Sequence, residues 1–96
     1  MAKSEEGNRI IITVVGHDRV GIIAGISVIL ADARINILDI NQTILQGFFT
    51  MVMVADITDS TKDIAQLRDI LNLKGQKLEI QITVQHEDIF NFMHRI

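Results

Sequence analysis

The chain has 96 residues, 48% of them hydrophobic, which bounds it to one domain with a single compact core and argues against disorder. It contains no cysteine, which excludes disulfides and cysteine-based zinc or redox sites. The formal net charge is −3 and the nine basic residues are scattered among twelve acidic ones, a balance that disfavours direct binding of nucleic acid.

Residues 1–8 are polar and read as a frayed leader, not as a secretory signal, because no apolar segment follows a positive one. No run approaches the ~20 apolar residues that span a bilayer, so the expectation is a cytoplasmic protein with no membrane partner. Residues 9–15, RIIITVV, are β-branched and apolar on both faces, which predicts a central strand broken at Gly16. In residues 21–33, GIIAGISVILADA, one helical stripe holds Ile22, Ile26, Ile29 and Ala33, and the neighbouring stripe holds Ile23 and Leu30. A helix is predicted, although Ile, Val and Gly are weak helix formers. Its apolar belt is wide enough to need two covering surfaces, its own sheet and a partner.

Residues 35–45 and 48–56 predict two strands, joined by Gln46 and Gly47 as a two-residue hairpin. The second of these is apolar on both faces, with Phe48, Val52 and Val54 on one and Phe49, Met51, Met53 and Ala55 on the other. Residues 58–63, TDSTKD, read as a turn that offers Asp59, Ser60 and Thr61 as helix N-caps. Residues 64–74 predict a second helix with Ile64, Leu67 and Leu71 on one face, and Gly75 stands where a terminating glycine belongs. Residues 77–85 alternate strictly, with Leu78, Ile80, Ile82 and Val84 on one face, and predict a strand with one solvated side. Residues 86–96 form a tail beyond the domain of residues 9–85, and residues 87–96 read as a short amphipathic helix.

The order β-α-β-β-α-β, with right-handed crossovers, predicts an α+β, ferredoxin-like fold: a four-stranded antiparallel sheet, two helices on one face, and a short C-terminal helix. Two predicted strands are apolar on both faces while helices cover only one. The open face is therefore expected to be buried by the tail helix or by self-association, and a homodimer or higher homo-oligomer is expected.

The segment GHDRVG, between the first strand and the first helix, holds the main candidates for chemistry. His17 and Asp18 fit a general acid–base pair or two metal ligands. Neither role is complete: the nearby hydroxyls, Thr13 and Ser27, lie inside predicted elements, and His86 and His94 sit in or beside the tail without metal-ligand spacing. Adjacent His and Asp in a turn are more often solvated loop residues. Asp18 also fits a capping role at the helix start, which is compatible with an anion seat there. The segment has neither the GxGxxG spacing nor the GxxxxGK[ST] lysine of nucleotide loops. Gly16 and Gly21 flank a sharp turn at a helix N-terminus, where N–H donors and the helix dipole converge on a carboxylate-sized anion. Asn36 reaches either a ligand or its own turn. Nothing in the sequence points to a cofactor or a metal.

These residues carry a resemblance. The stretch ITVVGHDRVGIIAGISVILADARINILDINQTIL is similar to the opening of an ACT domain, a small regulatory module that binds amino acids. It shows a strand, G-x-D-R-x-G-I, an apolar helix, and Asn-Ile at the start of the second strand, and the later FFTMVMV fits as well. The resemblance covers residues 9–85. The tail, ending IFNFMHRI, is further similar to the stand-alone group called UPF0237, related to the ACT halves of the glycine cleavage system transcriptional repressor. The resemblance implies a non-enzymatic module whose small-molecule site lies at a homodimer interface. Position by position it nominates Gly16, His17, Asp18, Arg19, Val20, Gly21 and Ile22 in the loop, and Asn36, Ile37 and Leu38 on the second strand of the partner. Backbone N–H groups of Val20, Gly21 and Ile22 would take a carboxylate, and Asp18 or Asn36 an amino group. Two positions depart from the family pattern: Val20 stands where many ACT loops have proline, and Arg34 where the family usually ends the helix with glycine. Arg34 is therefore expected in the left-handed conformation.

Three other readings compete. One is a ligand-free dimer that acts only through protein contacts, including contact with a regulatory partner protein. A second is an acylphosphatase-like enzyme, which shares this topology, with Arg19 holding phosphate; that family's glycine-rich loop spacing is missing. A third is RNA recognition on the same element order, which needs exposed aromatics on the central strands and a basic field.

Overall fold

The computed structural model describes residues 8–17 and 20–93, the last two by backbone alone. Its elements are β1 (Arg9–His17), α1 (Ile22–Asp32), β2 (Asn36–Leu45), β3 (Phe48–Asp56), α2 (Ile64–Leu78), β4 (Ile80–His86) and α3 (Glu87–Met93). The strands form one antiparallel sheet in the order β2-β3-β1-β4, the ferredoxin-like arrangement with a short C-terminal helix that the sequence predicts. The predicted leader, apart from Asn8, and the last three residues of the predicted tail helix lie outside the described residues.

β1 and β3 are the inner strands, as their two apolar faces require. On one face Ile10, Ile12, Val14, Met51, Met53 and Ala55 are fully buried. Ile22, Ile26 and Leu30 of α1 and Leu67 and Leu71 of α2 pack with them into a single core. The buried stripe of α1 is narrower than predicted, because its i, i+4, i+8 row alone faces the sheet. Ile29 is only half-buried, and Ile23 and Val28 are exposed.

Several element boundaries differ from the sequence reading, each for a local reason. β1 does not break at Gly16. It runs to His17, and Gly16 lies opposite Ile80, where a Cβ would come within 2.6 Å of Ile80 Cγ2. The glycine makes room inside the sheet. α2 does not end at Gly75 but continues to Leu78, so Lys77 and Leu78 are helical and not strand. Gly75 is buried, and the left-handed residue that ends the helix is Glu79, at φ 58°. The N-cap of α2 is Asp63 and not Asp59, Ser60 or Thr61. Asp63 Oδ1 accepts the Gln66 N–H at 2.8 Å, and Gln66 Oε1 accepts the Asp63 N–H at 3.0 Å, a reciprocal capping box. Ser60 and Thr61 are engaged elsewhere: the Ser60 hydroxyl donates to Lys62 O at 2.7 Å, and the Thr61 N–H donates to Ala33 O at 2.9 Å.

The hairpin turn has positive φ at both Gln46 (51°) and Gly47 (84°), as a tight two-residue connection demands. The Ile57 N–H donates to Asn8 O at 2.8 Å, and this bond fixes the alternation of the whole sheet. It turns the odd-numbered residues of β3 toward β1 and the even-numbered ones toward β2. The outward backbone groups at the β2 edge then belong to Ile40, Gln42 and Ile44. Those at the β4 edge belong to Ile80, Ile82, Val84 and His86.

On the face opposite the helices, α3 folds back over β1 and buries Ile11 to 6% exposure. A two-point ion pair fixes it: Arg9 Nη2 lies 2.6 Å from Glu87 Oε2, and Arg9 Nε donates to Glu87 Oε1 at 3.1 Å. Val15, Phe48 and Leu45, beyond the reach of α3, remain exposed on the sheet.

Two substitutions test these constraints. Gly75→Ala gains about 1 kcal/mol of helix propensity. Its Cβ, however, would lie 2.8 Å from Ile80 O, a backbone atom that cannot swing aside. Overpacking of about 1–3 kcal/mol wins, and the melting temperature is expected to fall. Arg34 has φ 63°, the left-handed conformation predicted for it. Arg34→Gly relieves about 1–2 kcal/mol and loses somewhat less through the freer unfolded chain. A rise of a few degrees in melting temperature is expected, and a fall would contradict the strain.

Candidate functional site

The predicted loop residues gather at one end of the sheet. β1 delivers Gly16 and His17 there, and His17 pairs with Phe48 at the start of β3. Their rings stack, with centroids 4.9 Å apart and planes 22° from parallel. Asp18 and Arg19 lie outside the described residues, so neither the predicted helix cap, the amino-group contact nor the phosphate role of Arg19 has a described geometry. Val20 is 97% exposed. Ile22 is 2% exposed and anchors the helix start in the core.

Gly21 occupies the N-cap position of α1, at φ 95°, with no side-chain cap. The first helical bond runs from the Gly25 N–H to Gly21 O at 2.8 Å. The N–H groups of the preceding turn therefore have no partner within the helix. The first turn carries no acidic side chain. The positive end of the helix dipole and several donors thus point out beside Gly21, a geometry suited to an anion.

The other predicted residues lie elsewhere. Asn36 pairs in register with Asp56, and Asp56 with Arg9, so Asn36 stands at the Arg9 end of the sheet. At a rise of about 3.3 Å per residue, that end is roughly 26 Å from His17 along β1. Asn36 is exposed, Ile37 is half-buried against the core, and Leu38 is exposed at a bulge between Ile37 and Asp39. One chain therefore does not bring its loop and its Asn36, Ile37 and Leu38 together. The β2 strand that carries them is open, with only Ile37 of its residues other than exposed.

The competing chemistries gain no geometry from this arrangement. His17 and His86 sit at opposite ends of β1, since Ile10 pairs with His86, and His94 lies outside the described residues. Phe48 and Phe49 point to opposite faces, one 53% and the other 3% exposed, and between the His17–Phe48 pair at one end and Arg9 and Asp56 at the other the open face of β1 and β3 is aliphatic or hydroxylic. That is no stacking platform for RNA bases. A cleft of about 230 Å³ opens between α1 and α2, lined by Ile29, Ile70, Leu73, Lys74 and Lys77. It is smaller than the ~300 Å³ at which ligand pockets begin, and no loop residue lines it. Among the described residues no helix is long and apolar enough to cross a membrane.

Sequence reasoning missed the contact of Phe48 with His17. It follows from the register of β1 on β3, a pairing of strands distant in sequence that sets residue 48 opposite residue 17.

Comparison with known proteins agrees with the fold. A family model described as "ACT domain" matches residues 8–85. A UPF0237 protein of Clostridium perfringens is 57% identical over 86 residues, covering 90% of this chain and 97% of that protein. A solved ACT domain protein from Streptococcus pneumoniae superposes with a TM-score of 0.76 at 41% identity, over 88% of this chain and 96% of that one. A structure described as a glycine cleavage system transcriptional repressor gives a TM-score of 0.71 at 27% identity, over 81% of this chain and 44% of that one.

The N-cap geometry is testable. Among the described residues, chain neighbours aside, no atom lies within 4 Å of where a Gly21 Cβ would stand, so backbone conformation is what opposes a side chain there. Gly21→Ala is expected to cost on the order of 1 kcal/mol, or about 4–8 °C in melting temperature. Gly21→Asn, which tolerates positive φ better, should lose less in the same melts.

Proposed function

The chain belongs to the ACT domain family, and from that premise we propose that it is a non-enzymatic regulatory module, a homodimer that senses a small ligand with a carboxylate and an amino group. The observation that carries the reading is the separation of the two halves of the candidate site. The start of α1, with Gly21 at its N-cap, lies at one end of the sheet and Asn36 at the other, on an exposed edge strand. If two copies pair their β2 edges antiparallel about a twofold axis, Asn36 of the partner subunit moves to the loop end of the first chain. The ligand carboxylate then meets the N–H groups of Val20, Gly21 and Ile22. Its amino group meets Asp18 or Asn36 of the partner subunit.

A ligand that binds across such an interface favours one dimer geometry by its differential affinity, and a partner protein can read that geometry. The exposed side chains of Ile40 and Ile44 on β2 and of Ile23 and Val28 on α1 supply apolar surface for the contact. The cytoplasm is the compartment in which such a module would meet free amino acids. The alternative is a dimer without ligand that works through protein contacts alone.

Thermal shift and calorimetry against the common amino acids at millimolar concentration test the ligand. At tenfold the dissociation constant, stabilisation is about 1.4 kcal/mol, or roughly 6–11 °C. Asn36→Ala should weaken binding about tenfold or more, as expected for loss of a hydrogen bond to a charged group. No shift with any amino acid would leave the interaction-only dimer.

Sedimentation tests the pairing. Gln42 exposes its backbone N–H at the β2 edge, so Gln42→Pro removes no bond within the sheet. It should nonetheless yield a folded monomer that no longer responds to ligand. A dimer that survives this change would place the interface elsewhere.

A further inference from the structure

The two edges of the sheet are closed to very different degrees, and the difference centres on α2. We propose that Arg68 is an edge guard: it blocks the β4 edge against an added strand of a second copy and so confines strand pairing between molecules to β2. Arg68 projects from α2, and its Nη2 donates to Val84 O at 2.9 Å. By the alternation of the ladder, that carbonyl is one of the outward acceptors of β4, the kind of group an incoming strand must bond. To bond it, a strand would have to evict a guanidinium and leave that charge unpaired beside the new interface.

The neighbouring positions reinforce the block. Ile80 O, the next outward acceptor but one, lies against α2 at Gly75, where the helix approaches so closely that no side chain fits. At the other end, β4 passes from His86 directly into Glu87 of α3, and the His86 Nδ1 accepts the Asp88 N–H at 3.1 Å. The chain there turns away from the line an added strand would follow. On β2, by contrast, Asp39 Oδ1 accepts the Ile40 N–H at 2.9 Å, while Gln42 and Ile44 are exposed.

The consequence concerns how far assembly can proceed. A sheet with two open edges can add a copy at each and grow into a ribbon, whereas one open edge is used up by a single twofold pairing. Arg68 would therefore set a finite assembly by closing the second edge. This inference does not rest on ligand binding, and the closing experiment separates it from the dimer reading.

Sedimentation velocity from micromolar to near-millimolar protein compares the parent with Arg68→Met, which keeps the aliphatic stem and removes the donors. Circular dichroism and melting confirm that the variant is folded. The parent should stop at one size, and Arg68→Met should add species at least twice that mass as concentration rises. Arg68→Lys, which keeps a charge over the edge, should behave as the parent. If Arg68→Met folds poorly, Arg68→Gln, too short to reach Val84 O, reads the same quantity. The double variant Gln42→Pro/Arg68→Met should regain a dimer that Gln42→Pro alone lacks, now formed through β4. A folded Arg68→Met or Arg68→Gln protein with the parental size at every concentration would overturn the guard. A monomeric parent would overturn the dimer reading alone, because the effect of the substitution is read against the parent.

Discussion

β1 is hydrogen-bonded along both of its sides, and that single constraint sets the rest of the molecule. A strand between β3 and β4 has its backbone groups committed to its neighbours, so only its side chains meet the two faces. With a period of two, Ile10, Ile12 and Val14 go to the helices and Ile11 and Val15 to the opposite face. A slip of one residue would exchange those sets and empty the core. The helices answer the first set. The second is answered only in part: α3 covers Ile11, pinned by Arg9 and Glu87, and leaves Val15 exposed beside Phe48.

The strands and the order of elements were legible because their patterns are local. A β-branched run apolar on both faces admits few places in a sheet except the centre, and two such runs fixed β1 and β3 as inner strands. The hairpin was equally plain, since Gln46 and Gly47 offer two residues for a turn that needs positive φ at both. Arg34 could be assigned its backbone conformation because the family resemblance put a glycine position under it. The capping box was also present in the sequence, as Asp63 followed three residues later by Gln66. It was overlooked in favour of the earlier Asp59, Ser60 and Thr61, whose positions in the turn depend on the contact between Thr61 and Ala33.

What was not legible depends on contacts between distant residues. A glycine near the expected end of a helix reads as a terminator, but Gly75 is there because α2 lies against the backbone of β4, and that approach exists only in three dimensions. Gly16 misled in the same way, since Ile80 across the sheet demands its small size. The candidate site was legible in composition and not in placement. The loop residues next to α1 could be nominated from the motif, whereas the distance between them and Asn36 follows from strand register. Asp18 and Arg19, the most chemically suggestive pair, take their meaning from a loop whose described part ends on either side of them.

The chain is unevenly supplied with slack. α2 joins β4 through Glu79 alone, and β4 joins α3 with no residue between. From Ile64 onward the polypeptide is thus nearly one continuous jointed bar, in which a tilt of the helix must drag the strand and the tail helix with it. Spare length lies before that bar, in residues 57–63. An added or deleted residue would be absorbed at that connection, and at Glu79 it would throw β4 and α3 out of phase with α2.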